Sequence, residues 1–167
     1  FLYTDLDKNE VLNGSPMVFT ADHYFLVGYN EKLFVPNLNF ALLEFERTKV
    51  YWLNWMERTP TYKNYNEQIG RSAMTLKLLS YEKTGAVLAD ATTSLTETSG
   101  EVRNWDYRFC WIRDASMVIK VMSQLGHKHM AKNYLKFIIH LMPDKDEKLQ
   151  IMYGISGEKK LTEHTLD

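Results

Sequence analysis

The chain has 167 residues and a formal net charge of −1, from 20 Lys and Arg against 21 Asp and Glu. That balance excludes a strongly basic binder of nucleic acid or of an anionic membrane, and no apolar run approaches the length of a membrane span. Hydrophobic residues make up 45% of the chain, enough for a core, and the single Cys110 excludes an internal disulfide, so a cytoplasmic setting is the expectation.

Residues 1–35 have strand-and-turn texture. Met17-Val18-Phe19 and Tyr24-Phe25-Leu26-Val27 are short apolar runs, preceded by Gly14-Ser15-Pro16 and separated by Thr20, Asp22 and His23. Two short strands do not make a stable sheet, so they are expected to be the last strands of a larger β domain upstream. Phe1 opens on apolar residues without an initiating Met or a signal-peptide pattern, and Asp167 falls inside a helix-like run. Both ends read as cut from a longer chain.

From Asn37 the apolar period changes to that of a helix. Leu38, Leu42, Phe45, Trp52 and Met56 share one side, Asn37 is a fitting N-cap, and Thr59-Pro60 closes the element. Residues 36–64 are read as a linker helix region. A second helix is expected from about Tyr65 to Lys83, with Ile69, Ala73, Leu76 and Leu79 inward and Gly85 as the residue that ends it. Ala86 to Gly100, rich in Ala, Thr and Ser, reads as a surface loop, although small side chains also permit close backbone approach. A third helix starts around Asp114 and runs through Val118, Val121, Met122 and Leu125 to Gly126. A fourth spans about Lys128 to Met142, with Ala131, Tyr134, Leu135 and Ile138 inward, before Pro143. The short connection predicts an αα-hairpin. Asp144 to Lys148 is a charged turn. There is no internal repeat and no low-complexity tract.

Between the second and third helices, Asn104-Trp105-Asp106-Tyr107-Arg108-Phe109-Cys110-Trp111-Ile112-Arg113-Asp114 concentrates aromatic, Arg and Asp side chains. Loops on a rigid scaffold are where binding residues gather. Aromatic faces beside carboxylates and guanidinium forks suit a ligand with CH patches and many hydroxyls, such as a sugar. A structural reading fits the same letters: Trp105, Tyr107, Phe109 and Trp111 alternate as one buried face of a short strand, and Asp114 caps the helix that follows. In a regular element the side chains of Arg113 and Asp114 diverge. A loop-to-helix junction can aim both at one point, where Asp114 would accept hydrogen bonds from two adjacent hydroxyls of such a ligand and Arg113 would offer a planar fork of donors.

The run Tyr107-x-x-x-Trp111-x-Arg113-Asp114 resembles the sugar-binding signature of glycoside hydrolase family 15, the glucoamylase family, which includes trehalases and glucodextranases. Gly85-Ala86-Val87-Leu88-Ala89, Thr92-Thr93-Ser94-Leu95 and Leu149-Gln150-Ile151-Met152-Tyr153-Gly154-Ile155 resemble further segments of that family. The resemblance implies a mainly α fold, the start of an (α/α)6 barrel preceded by short strands of a β-sandwich, with residues 65–167 supplying the first barrel helices. It implies release of glucose from the non-reducing ends of α-glucosides with inversion, and the same pocket would serve α,α-trehalose. Arg113 and Asp114 would hold the terminal glucose and Tyr107 and Trp111 would line its subsite. Substrates would be an α-glucoside oligosaccharide or trehalose, with no cofactor.

Inversion needs a carboxylic acid and a carboxylate base roughly 6.5–9.5 Å apart. In the family both are glutamates in later barrel loops, and no Glu of this chain stands in a matching motif. Glu97 and Glu101 read as loop charges and Asp106 as an anchor of its loop. The chain alone is therefore expected to be inactive, and to expose apolar helix faces. A non-catalytic carbohydrate-binding or interaction module is the reading from another class. His127, His129 and His140 have no ligand spacing and read as exposed helix-end residues, so no metal is expected. Lys159-Lys160 is too short for a nucleic-acid patch, and neither a phosphate loop nor a Ser/His/Asp motif is present.

Overall fold

Asp7 starts a helix that the apolar pattern does not announce. Its carboxylate accepts the N–H groups of Asn9 (2.9 Å) and Glu10 (3.1 Å), which caps helix α1, Lys8–Asn13, and Gly14 ends it at φ +64°. The structure, a computed structural model, describes residues 1–30, 32, 36–92, 98–101, 106–142 and 148–162. Its residues group into two units, Phe1–Trp55 and Met56–Asp167. The mainly α class expected from the sequence is the one adopted: among the described residues there are five helices and four strands of two or three residues.

In the first unit, strand β1 (Leu2–Thr4) pairs antiparallel with β2 (Phe25–Val27), in the register Leu2 with Val27 and Thr4 with Phe25. The backbone of Phe1 and Gly28 closes the ribbon, with the Phe1 nitrogen donating to the Gly28 carbonyl at 2.7 Å and the Gly28 N–H donating to the Phe1 carbonyl at 2.8 Å. Met17-Val18-Phe19, expected as a strand, forms none. Phe19 instead packs its ring against His23 (5.3 Å) and Phe25 (6.5 Å), a local cluster that takes the place of a ladder. Helix α2, Leu38–Met56, begins as expected, with the Asn37 side chain accepting the Phe40 N–H at 2.9 Å. Its expected inward face is not buried: Leu42 and Phe45 are exposed, and Trp55 is the buried residue, with Trp52 set edge-on to its ring.

In the second unit, α3 covers Asn66–Leu78 and stops five residues before the expected Lys83. After it the chain turns back on itself rather than continuing the helix. Tyr81 N–H donates to the Ala86 carbonyl (2.8 Å), Leu88 N–H to the Leu79 carbonyl (2.9 Å), and Ser80 bridges Val87. Gly85 is thus the corner of a tight hairpin and not the residue that ends a helix. Its φ is +87°, and a Cβ there would lie 2.5 Å from the backbone of Asn133. Ala86 and Val87 are buried beside Gly85, so the surface-loop reading of Ala86 to Gly100 fails at its first two positions, where the chain is closely approached.

Strand β3 (Cys110–Trp111) leads directly into α4 (Ile112–Gln124), and α5 (Lys128–Leu141) follows after Leu125, Gly126 and His127. The two helices pack on each other as the expected hairpin. Gly126, at φ +88°, ends α4 in a Schellman arrangement: His127 N–H donates to the Met122 carbonyl (2.9 Å) and Gly126 N–H to the Ser123 carbonyl (3.1 Å). The buried stripe is Ala115, Ile119 and Met122 facing Met130, Tyr134, Phe137 and Leu141. Leu135, read as inward, is 58% exposed, and Val121, Met117 and Ile139 are exposed as well. Strand β4 (Met152–Tyr153) pairs antiparallel with β3, Cys110 opposite Tyr153. No helix among the described residues is long and apolar enough to cross a membrane.

Candidate functional site

Arg113 and Asp114 are the second and third residues of α4, because the helix begins at Ile112 and not at Asp114. The start is anchored from both sides. Ile112 N–H donates to the Ile151 carbonyl at 3.0 Å, while the Ile112 carbonyl accepts the Ser116 hydroxyl (2.6 Å) and the hydroxyl of buried Tyr134 (3.4 Å). The expected divergence of neighbouring helical side chains is overcome by the length of arginine. Its guanidinium reaches across the first turn and donates to the Asp114 carboxylate at 3.3 Å. Asp114 does not cap the helix as expected: Trp111 holds the N-cap position without a side-chain hydrogen bond, and Asp114, inside the first turn, favours the positive end of the helix dipole instead. The Arg113 side chain is 74% exposed and that of Asp114 39%. A pair this open to water has hydrogen-bonding capacity left for a ligand.

Trp111 immediately precedes the helix and is half-buried, opposite Met152 in the β3–β4 pair. Tyr107, Phe109 and Trp111 are each half-buried, and the fully buried residue among them is Cys110. The alternating aromatics therefore do not form the core face of a strand; Trp105 lies outside the described residues. Burial pushes the Cys110 thiol up from its ordinary range.

A strap formed by residues 88–92 holds the loop. Ala89 N–H donates to the Phe109 carbonyl (3.2 Å), Asp90 N–H to the Tyr107 carbonyl (2.9 Å), and Tyr107 N–H to the Thr92 carbonyl (3.3 Å). Thr84 donates its hydroxyl to the Ile155 carbonyl at 2.6 Å, tying the Gly85 hairpin to the segment after β4. Beside Tyr107, the Asp106 carboxylate accepts Arg108 Nε at 3.1 Å and Nη2 at 2.9 Å, together with the Arg108 backbone N–H at 3.0 Å. Hydrogen bonding from Arg108 holds the Asp106 carboxyl below the usual carboxylate range. Asp106 is thus the loop anchor it was expected to be. Among the described residues, no hydrogen bond or ring contact joins Tyr107 to the Arg113–Asp114 pair.

The residues that position this loop were largely missed in sequence. Asp106–Arg108 has a readable signal, an Asp two residues before a donor. Ser116 and Tyr134 acting on one carbonyl have none. Glu101 is exposed, and Glu97 lies outside the described residues. His127 corrects the reading of an exposed helix end: it is buried, and its Nε2 lies 2.8 Å from the Thr59 hydroxyl. His129 and His140 are exposed. Among the described residues no three His, Cys, Asp or Glu side chains group closely enough to hold a metal ion.

The sequence model of a family described as glycosyl hydrolases family 15 matches residues 63–167, more than half of the chain and all of the loop just described. The chain belongs to this family. It is 37% identical over 127 residues to the trehalase of Thermoplasma volcanium, which covers 76% of this chain and 20% of that protein. It is 38% identical over 125 residues to the trehalase of Mycobacterium tuberculosis, covering 72% and 18%. It is 40% identical over 94 residues to Trehalase 1 of Sulfolobus acidocaldarius, covering 55% and 17%. This family 15 chain spans about a fifth of the length of the curated relatives it matches. No solved structure matches it.

Proposed function

We propose that the full-length protein is a glycoside hydrolase that cleaves α,α-trehalose into two glucose molecules, with this chain contributing part of the pocket for one glucose. The observation that carries the reading is the Arg113–Asp114 pair on the anchored first turn of α4, beside half-buried Trp111, inside the stretch matched by the family. Asp114 accepts hydrogen bonds from two neighbouring hydroxyls and Arg113 donates to the oxygens beside them. Tyr107 and Trp111 line the sugar with ring faces. A site built to satisfy hydroxyls discriminates strongly, since an analogue without them leaves its polar groups unpaired.

In the hydrolysis a water oxygen bonds to the anomeric carbon as the glycosidic C–O bond breaks. The base takes the proton from that water and the acid gives one to the leaving oxygen, with inversion at carbon. We assign neither role within these 167 residues, and the strand-bearing start of the chain is read as the edge of a β domain. The trehalase names of the matching relatives favour trehalose as substrate over the longer α-glucans of a glucoamylase, which is the second reading and has the family signature in its favour.

Glucose release by the full-length protein from trehalose and from maltotriose, side by side, tests the assignment. Faster turnover of trehalose, lost in Asp114→Ala with unchanged circular dichroism, is expected. Preference for maltotriose would move the protein to the glucoamylase reading. Sugar binding without turnover of either would favour a non-catalytic module.

A further inference from the structure

Tyr107 stands between two side chains that close over its own peptide. The Asp106 carboxylate takes three hydrogen bonds from Arg108, two from the guanidinium and one from the backbone N–H, all between 2.9 and 3.1 Å. On the other edge the backbone of Tyr107 is tied to Thr92 and Asp90. The peptide that carries the ring is therefore fixed from two directions, and backbone dihedrals decide which side-chain rotamers are open to it.

The clamp has little to do with global stability. Arg108 is 61% exposed and Asp106 31%, and a pair so open to water stabilises a fold only slightly. Its fork-to-fork geometry is nevertheless the ordered kind, which adds direction more than energy. Direction is what a ring facing a sugar requires, because tilting the face withdraws it from the CH groups it covers.

From this geometry we infer that Asp106 and Arg108 are positioning residues that hold Tyr107 toward the sugar, an inference that rests on the site reading above. They act through Tyr107 and touch no substrate themselves. Their loss weakens sugar binding in ground state and transition state alike, so KM rises while kcat is nearly kept.

A double-mutant cycle in the full-length protein tests this, on trehalose or, if that is what the protein cleaves, on maltotriose. Tyr107→Ala is expected to raise KM by up to about tenfold. Asp106→Ala should raise it by about three- to fivefold with kcat nearly unchanged. Introduced into Tyr107→Ala, Asp106→Ala should change KM by less than about twofold, because the residue it acts through is gone. Losses that multiply beside a defective Tyr107→Ala overturn the positioning role and leave the site reading intact. An unchanged KM in Asp106→Ala does the same. An unchanged KM in Tyr107→Ala likewise overturns the positioning role alone, whereas no glucose from either sugar overturns both. If Asp106→Ala does not fold, Arg108→Ala, at an exposed side chain, completes the same cycle.

Discussion

The Thr59 hydroxyl meets the imidazole of His127 at 2.8 Å, joining residues 68 positions apart. His127 is buried behind the Gly126 turn, and burial first, then the charges of Arg58 and Lys77, pushes its pKa below the ordinary 6.5. The folded protein therefore resists the proton that the unfolded chain takes up near pH 6.5. Its contribution to stability is fully present above that pH and is lost as pH falls toward the lowered folded value. Thermal unfolding between pH 7.5 and 5 should show Tm falling with acid, and His127→Gln should flatten that slope. An equally steep slope in the variant would place the acid sensitivity elsewhere.

Gly85 cannot carry a side chain without moving Asn133, whose backbone would lie 2.5 Å from the new Cβ. Its φ of +87° adds strain for any L-residue. Gly85→Ala should cost at least about 2 kcal/mol, read as a shift in the denaturant midpoint. It should also reduce turnover, because the hairpin it turns leads into the strap that holds Tyr107 and Phe109. A midpoint matching the parent would mean that α5 yields freely here.

Arg113→Lys retains the charge but not the planar fork. On the proposed reading it should raise KM by about tenfold or more, since the ammonium's three rotating donors lack the planar fork that presents fixed, parallel donors to Asp114 and the sugar oxygens. Kinetics indistinguishable from the parent would remove Arg113 from the site.

Cys110 is fully buried and its thiol is pushed up by that burial, so the reactive thiolate is scarce. Native protein should resist iodoacetamide at pH 8 and label Cys110 only after unfolding. Rapid native labelling at this residue would show that the β3–β4 pair opens readily.

Met117 and Val121 on α4 and Leu135 and Ile139 on α5 are large apolar side chains left in water. The 167-residue chain by itself should therefore self-associate or bind a hydrophobic dye. Sharp, reversible unfolding of a monomer, with no dye binding, would contradict this.

Much of the local structure was legible in the letters. Asn37 as an N-cap, Gly126 as a stop and the hairpin of α4 and α5 are signals written within a few residues of the elements they shape. The family was legible in the run Tyr107-x-x-x-Trp111-x-Arg113-Asp114, which lies inside the stretch that the family model matches. Helical period located apolar residues but erred on which stripe is covered: Leu135 faces water where Phe137 faces the core. Periodicity describes an element and says nothing of its neighbour.

What only the tertiary structure decided depends on partners far along the chain. β2 pairs with Leu2–Thr4 and not with Met17-Val18-Phe19, and Gly85 turns a hairpin against Asn133 instead of ending a helix. His127 is buried against Thr59, and the start of α4 is pinned by Ile151 and Tyr134. Each is a contact between segments whose separation leaves no periodic trace, and whose free energy exists only once both segments are in place. The sequence by itself determined which residues stand at the mouth of α4; the packing of distant segments around Ile112 and Tyr107 decided how firmly they are held there.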